Sequence, residues 1–298
     1  MTKNLRKIML FIALTFLVNW LMAILFFAFG GRWGSPYSLV MAVSYMFVPM
    51  LIAIIVQKFV FKEPLKKPLG ISFKLNRWFL IAWLLPPVIA FACLGISLLL
   101  PGIEYSPDMQ GLIDRFESLL TAEQLQRAQN QVDAFAVHPI WMGLLLGLVA
   151  GITINAVAGF GEELGWRGFL QNEFAYMGFW RSSVTIGVIW GIWHTPLILQ
   201  GHNYPQHPVI GVFMMTILCV LLASIFSYVR LKAKSVIAAA IIHGSFNATC
   251  GLAIVVVKGG NDLIVGVTGS AGFIVLMFVN IGFFLYDRVF AKEPIMLG

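Results

Sequence analysis

Five residues with catalytic chemistry stand inside otherwise apolar stretches: Glu162 and Glu163 in GEELGWRGFL, His194 in WGIWHTPL, and His243 with Asn247 in HGSFNATC. Ionisable groups in such surroundings are costly to hold and are functional candidates by default. Arg167, also in the first stretch, adds a cation.

Spacing separates their roles. Adjacent helical residues point about 100° apart, so Glu162 and Glu163 are not expected to face one site together. Arg167 follows Glu163 by four positions, the favoured order for a helical ion pair, which assigns Glu163 and Arg167 to structure and leaves Glu162 for the interior. A poorly hydrated carboxylate there suits general-base work. The plainer alternative is that both acids mark the end of a membrane span. His243 and Asn247, at i and i+4, share one helix face and could offer an imidazole and an amide to one ligand, or simply bond two helices together. His194, followed by Pro196, could be a packed core histidine.

Taken together, one carboxylate, two histidines and an amide arise from three separate segments and can meet only inside a bundle. Glu162, His194 and His243 could hold Zn²⁺ with a position left open for water. The same set could instead activate water directly and stabilise an oxyanion, with no cofactor. Both routes end in hydrolysis of a carbonyl compound. The chain has no GxSxG elbow, HExxH pair or phosphate-binding loop. Cys93, Cys219 and Cys250 stand singly and read as packed thiols. His202 and His207 read as part of a solvated turn.

The elements that must position these groups are membrane helices. Apolar residues make up 59% of the 298 positions and charged residues 11%, too few to clothe a water-soluble surface. The expected class is an all-α polytopic bundle of about eight spans in a single domain, residues 1–298. The spans are expected at Ile8–Phe29, Tyr37–Gln57, Trp78–Leu100, Pro139–Phe160, Ser183–Leu199, Pro208–Tyr228, Ser235–Val257 and Leu263–Tyr286. The run that starts at Ile8 is too long for a signal peptide. Alternate connections divide the 20 Lys and Arg residues sixteen to four; the four are Arg32, Arg115, Arg127 and Lys258. That bias puts both termini in the cytoplasm. It also accounts for the +7 net charge without a nucleic-acid partner. Segment 102–137, the longest outer connection, carries Leu112, Ile113, Phe116, Leu119 and Leu120 at helical spacing and is expected to form an amphipathic cap. A proton-coupled transporter would show matched halves with broken helices; here the polar groups cluster in the second half only.

Glu162-Glu163-x-x-x-Arg167, then Trp190-x-x-x-His194, then His243-x-x-x-Asn247 resembles the signature of the CPBP family. This is the CAAX-protease and bacteriocin-processing group of intramembrane proteases, which includes the Rce1-type CAAX endopeptidases. The motif core runs over residues 161–247, and Trp190 stands where the family commonly has Phe. The resemblance implies an intramembrane endopeptidase in a cell membrane, a prokaryotic plasma membrane, acting on a peptide or lipidated protein. Its catalytic residues would be Glu162, His194, His243 and Asn247. A non-catalytic scaffold or bacteriocin-immunity protein on the same fold is the alternative. One geometric demand follows. If Glu162 lies near the cytoplasmic end of its span, His194 sits deeper, 13 residues beyond Arg181 or about 20 Å along a helix. Residues 164–182 would then have to bend to bring the two together.

Overall fold

The structure, a computed structural model, describes all residues except 1–2, 34, 112, 114–120, 122, 128–129, 131–136 and 298. It is a helical bundle. The principal helices are α1 (Lys3–Ala28), α2 (Pro36–Ile54), α3 (Arg77–Leu98), α4 (Pro139–Ile152), α5 (Ile154–Glu163), α6 (Phe179–Trp193), α7 (Pro208–Ala233), α8 (Val236–Thr249) and α9 (Ser270–Val289). Two-residue strands β1 (Glu104–Tyr105) and β2 (Val257–Lys258) pair antiparallel at one end. Starts are fixed locally. Asn76 and Ser235 accept from the backbone N–H two residues on, capping α3 and α8, while Pro139 and Pro208 occupy first-turn positions where no N–H is needed. Leu17, Leu21, Ile24, Val149 and Phe278 are among the large apolar side chains left exposed, the surface that lipid covers.

Among the described residues six helices are long and apolar enough to cross a membrane, and the α4–α5 pair, bent by 50°, makes a seventh if counted as one span. The protein is therefore multi-pass, with two corrections to the expected spans. Pro139–Phe160 is broken at Thr153, whose backbone leaves the helical region (φ −115°, ψ −104°). Ser183–Leu199 is the fifteen-residue α6 plus one further turn, Thr195–Ile198, too short to qualify alone. Much of segment 102–137, where the amphipathic cap was expected, including Leu112, Phe116, Leu119 and Leu120, lies outside the described residues.

Contacts sort the connections to two ends. At one end Lys7 bridges Glu63 and Glu173, Asn76 donates to Ala233 O, Ser235 donates to Ser72 O, Lys232 pairs with Asp287, and Trp180 donates to Met296 O. Both chain ends lie here. At the other end Tyr204 donates to Thr268 O, Asp262 holds His207 and the Gln206 N–H, and Ser106 N–H bonds Val256 O.

Close helix contacts depend on glycine. A Cβ at Gly191 of α6 would lie 2.5 Å from the Thr216 Cα of α7, and one at Gly244 of α8 would lie 2.4 Å from the Ala156 N of α5. Both approaches are open only to a residue without a side chain. The second seats α8, and with it His243, against α5.

Candidate active site

Glu162 and Glu163 end α5, but the helical path does not stop there. It continues as a wider π-turn, Leu164–Leu170, and one more turn to Glu173. Glu162 is consequently about 16 Å from the end of that path at a helical rise of 1.5 Å per residue. This corrects the expectation that it sits near the span's end. The required bend is the π-segment followed by turns to Gly178, whose φ of +74° starts α6. α6 then runs back beside Glu162, and the Trp190 indole N–H donates to Glu162 Oε2 at 2.7 Å. A second indole, Trp166, donates to the same oxygen at 3.3 Å. Trp166 was not singled out from sequence, although its i+4 spacing from Glu162 was visible.

Glu163 is fully buried. Its Oε1 lies 2.9 Å from Arg167 Nη1 and 2.8 Å from His243 Nδ1. The two carboxylates are thus not divided between a site and a remote ion pair. Glu163 holds the histidine that stands beside Glu162, because α8 packs against α5 where both acids can reach its face. The Arg167 guanidinium lies over the rings of Trp190 at 4.5 Å and Phe226 at 5.2 Å, a buried cation on aromatic faces.

His194 caps the end of α6, its Nδ1 2.8 Å from Trp190 O. A carbonyl only accepts, so Nδ1 carries the hydrogen, and Nε2 of neutral His194 is an acceptor. Likewise His243 Nδ1 donates to the Glu163 carboxylate, which leaves Nε2 for a ligand. Asn247 is exposed, one turn beyond His243, and its side-chain amide makes no hydrogen bond to a described residue.

Glu162, His194, His243 and Asn247 line one cavity of about 300 Å³. Tyr45 and Trp193 also line it, and they belong to a polar network absent from the sequence reading. Tyr45 OH donates to Trp193 O, the Trp193 indole donates to Asn19 Oδ1, and Asn19 Nδ2 donates to Tyr45 O. The signal was available: an asparagine in the middle of the first span asks for partners. As for zinc, no group of three His, Cys, Asp or Glu among the described residues is arranged to hold a metal ion. His202, expected in a solvated turn, instead lines the cavity mouth with its ring 4.5 Å from Trp33. His207 bonds Asp262 at the rim.

Residues 136–249 match the family described as type II CAAX prenyl endopeptidase Rce1-like. This stretch carries all seven motif residues from Glu162 to Asn247. A curated relative, CAAX prenyl protease 2 of Methanococcus maripaludis, is 38% identical over 47 residues, which cover 14% of this chain and 16% of the relative. The chain thus aligns with about a sixth of that relative's length.

Proposed function

We propose that this protein is an intramembrane endopeptidase that hydrolyses a peptide bond of a membrane-associated peptide or lipidated protein by glutamate-activated water. The observation that carries the proposal is the shared cavity. A carboxylate, an imidazole held by a second carboxylate, and an amide with no hydrogen bond to a described residue line one space inside the bundle. The family match and the relative's name make a prenylated chain end the first substrate to try.

Glu162 takes a proton from water as the water oxygen adds to the scissile carbonyl carbon. His194 Nε2, as an acceptor, orients that water. Asn247 donates to the oxyanion that forms, a stabilisation worth about 10²–10³ in rate for comparable single donors. Collapse of the intermediate breaks the C–N bond and passes the proton to the leaving nitrogen, giving one carboxylate and one amine. His243, fixed by Glu163, presents Nε2 to the same centre. No step is routed through a metal. The chain's orientation is proposed from charge. Of the sixteen Lys and Arg residues of the inner segments, all but Arg167, which is buried within the bundle, belong to the end near both termini, and that end is taken to face the cytoplasm.

The test is purified protein in lipid with a quenched fluorescent farnesylated peptide. Glu162→Gln should abolish Glu162-dependent hydrolysis while leaving the thermal unfolding midpoint in place. Hydrolysis undiminished in a folded Glu162→Gln protein would overturn the proposal and favour the scaffold or immunity reading.

A further inference from the structure

α6 ends at Trp193, one residue before His194, and the sequence forces the end there. Pro196 has no N–H with which to continue the helical ladder, and the Leu197 N–H bonds His194 O. Trp193 O is thereby left without a donor from its own helix. A buried carbonyl in that position has to be satisfied from elsewhere. Two other helices supply the donors. Tyr45 OH of α2 lies 2.8 Å from Trp193 O, and the Trp20 indole N–H of α1 donates to the same oxygen at 3.3 Å.

The Trp193 side chain is tied in the same way. Its indole N–H donates to Asn19 Oδ1 at 2.9 Å, and Asn19 Nδ2 donates to Tyr45 O at 2.9 Å. Asn19, Tyr45 and Trp193 are each at most 1% exposed. Three hydrogen bonds thus close a ring over α1, α2 and α6 that holds both the main chain and the side chain of Trp193. His194 has few holds of its own. Its Nδ1 bonds Trp190 O, with Cys219 Sγ 3.9 Å from the same nitrogen, and its ring meets the Trp193 ring edge-on at 4.7 Å. Trp193 in turn meets the ring of Trp166, the indole that bonds Glu162, at 5.6 Å. One residue therefore touches the supports of both the imidazole and the carboxylate. Polar glue between spans needs no particular place. This ring sits where α6 breaks, next to a cavity imidazole.

We infer that Asn19 and Tyr45 are positioning residues for His194: α1 and α2 clamp the broken end of α6 and so fix how the imidazole faces the cavity. This rests on the hydrolase reading and goes beyond it, because both residues lie outside the 136–249 stretch that carries the motifs. The chemistry of the matched stretch then depends on two spans that precede it.

The experiment uses full-length protein in lipid and the quenched farnesylated peptide. Tyr45→Phe deletes one hydroxyl and keeps the ring. Asn19→Leu leaves the Trp193 indole buried without its acceptor. Both should lower kcat roughly tenfold or more with KM little changed, since a misplacement of 1 Å can cost about 10²-fold. Tyr228→Phe is the matched control, because it removes an equally buried hydroxyl that donates to Asp287 at 3.0 Å, away from the cavity; it should leave kcat unchanged. Adding Trp193→Phe to Asn19→Leu removes both partners of one hydrogen bond, which is far less costly than removing one. The double variant should regain much of the thermal midpoint lost in Asn19→Leu while kcat stays low. A merely structural ring predicts the opposite, with kcat returning as the midpoint returns, and that result would overturn the inference. So would an unchanged kcat in folded Tyr45→Phe and Asn19→Leu, or an equal loss in Tyr228→Phe. A second readout needs no activity. In ring-nitrogen NMR of isotope-labelled histidine, the His194 resonances, assigned by their loss in His194→Gln, should shift or broaden in Tyr45→Phe while those of the other histidines stay. Unmoved His194 resonances would refute the clamp even in an active enzyme. Failure of the hydrolase reading is seen separately, as hydrolysis surviving Glu162→Gln.

Discussion

Oε1 of Glu163 lies 2.8 Å from Nδ1 of His243, across 80 residues of sequence, while the same oxygen accepts from Arg167. One buried carboxylate therefore sets the tautomer and ring orientation of the cavity histidine while it pairs with a buried cation. This relationship separates two kinds of failure that substitution at adjacent glutamates should produce.

Glu162→Gln removes the proton acceptor and should reduce kcat/KM by at least the ~10²–10⁴-fold that general-base catalysis supplies, with little change in stability. Glu163→Gln leaves Arg167 buried without its counter-charge, so it should lower the thermal midpoint clearly and reduce kcat by a smaller factor through misorientation of His243. Breaking a buried pair from one side commonly costs about 3–5 kcal/mol. Kinetics and thermal unfolding of both variants in the same lipid decide this. Equal and complete inactivation, with both proteins equally stable, would count against the division.

Trp190→Phe keeps the ring under Arg167 but deletes the shorter of the two indole hydrogen bonds to Glu162. A hydrogen bond to a charged group is worth about 1.5–3 kcal/mol. We expect kcat to fall roughly tenfold or more by that measure, with KM little changed, because the carboxylate is less firmly aimed. An unaltered kcat would mean that Trp166 alone positions Glu162.

Exhaustive chelation should leave hydrolysis intact. Activity that vanishes with chelator and returns only on stoichiometric Zn²⁺ would make His194 and His243 ligands and would replace the metal-free mechanism.

At the basic end, burial works against the Glu63 carboxylate, but hydrogen bonds from Lys3 and Lys7 outweigh it and hold its pKa below the ordinary carboxylate range. A carboxylate with a depressed folded pKa contributes stability above its unfolded value and loses it as pH falls through the folded value. The thermal midpoint should therefore drop on acidification through and below the ordinary Glu range, and Glu63→Gln should flatten that part of the profile. A parallel acid profile in parent and variant would refute the contribution.

Gly244→Ala should destabilise the protein, by about 1–3 kcal/mol if the helices can part to accommodate the methyl group, and should lower activity with it. Thermal unfolding and kinetics measure both. A stable, fully active variant would show that α8 is not pinned against α5 at this point.

Much was legible in the sequence because lipid imposes simple rules. Long apolar runs with few charges must become helices, since no other open structure satisfies its backbone in hydrocarbon. Polar residues stranded in those runs must find partners. Glu162, His194, His243 and Asn247 could therefore be picked out as a set before any coordinate was known, and the i+4 spacing sufficed to pair Glu163 with Arg167. What the sequence left open was depth and direction. The 50° break at Thr153 and the π-turn after Glu163 are local changes of backbone path that leave hydropathy undisturbed, yet they carry Glu162 to mid-bundle. The second bond of Glu163, to His243, joins residues from different helices, so no spacing rule could reveal it. Nor could any periodicity tell which end of the cavity is open. That depends on the neighbours Trp166 and Arg167 and the sequence-distant Phe226 filling the same cross-section of the bundle, which is a property of packing alone.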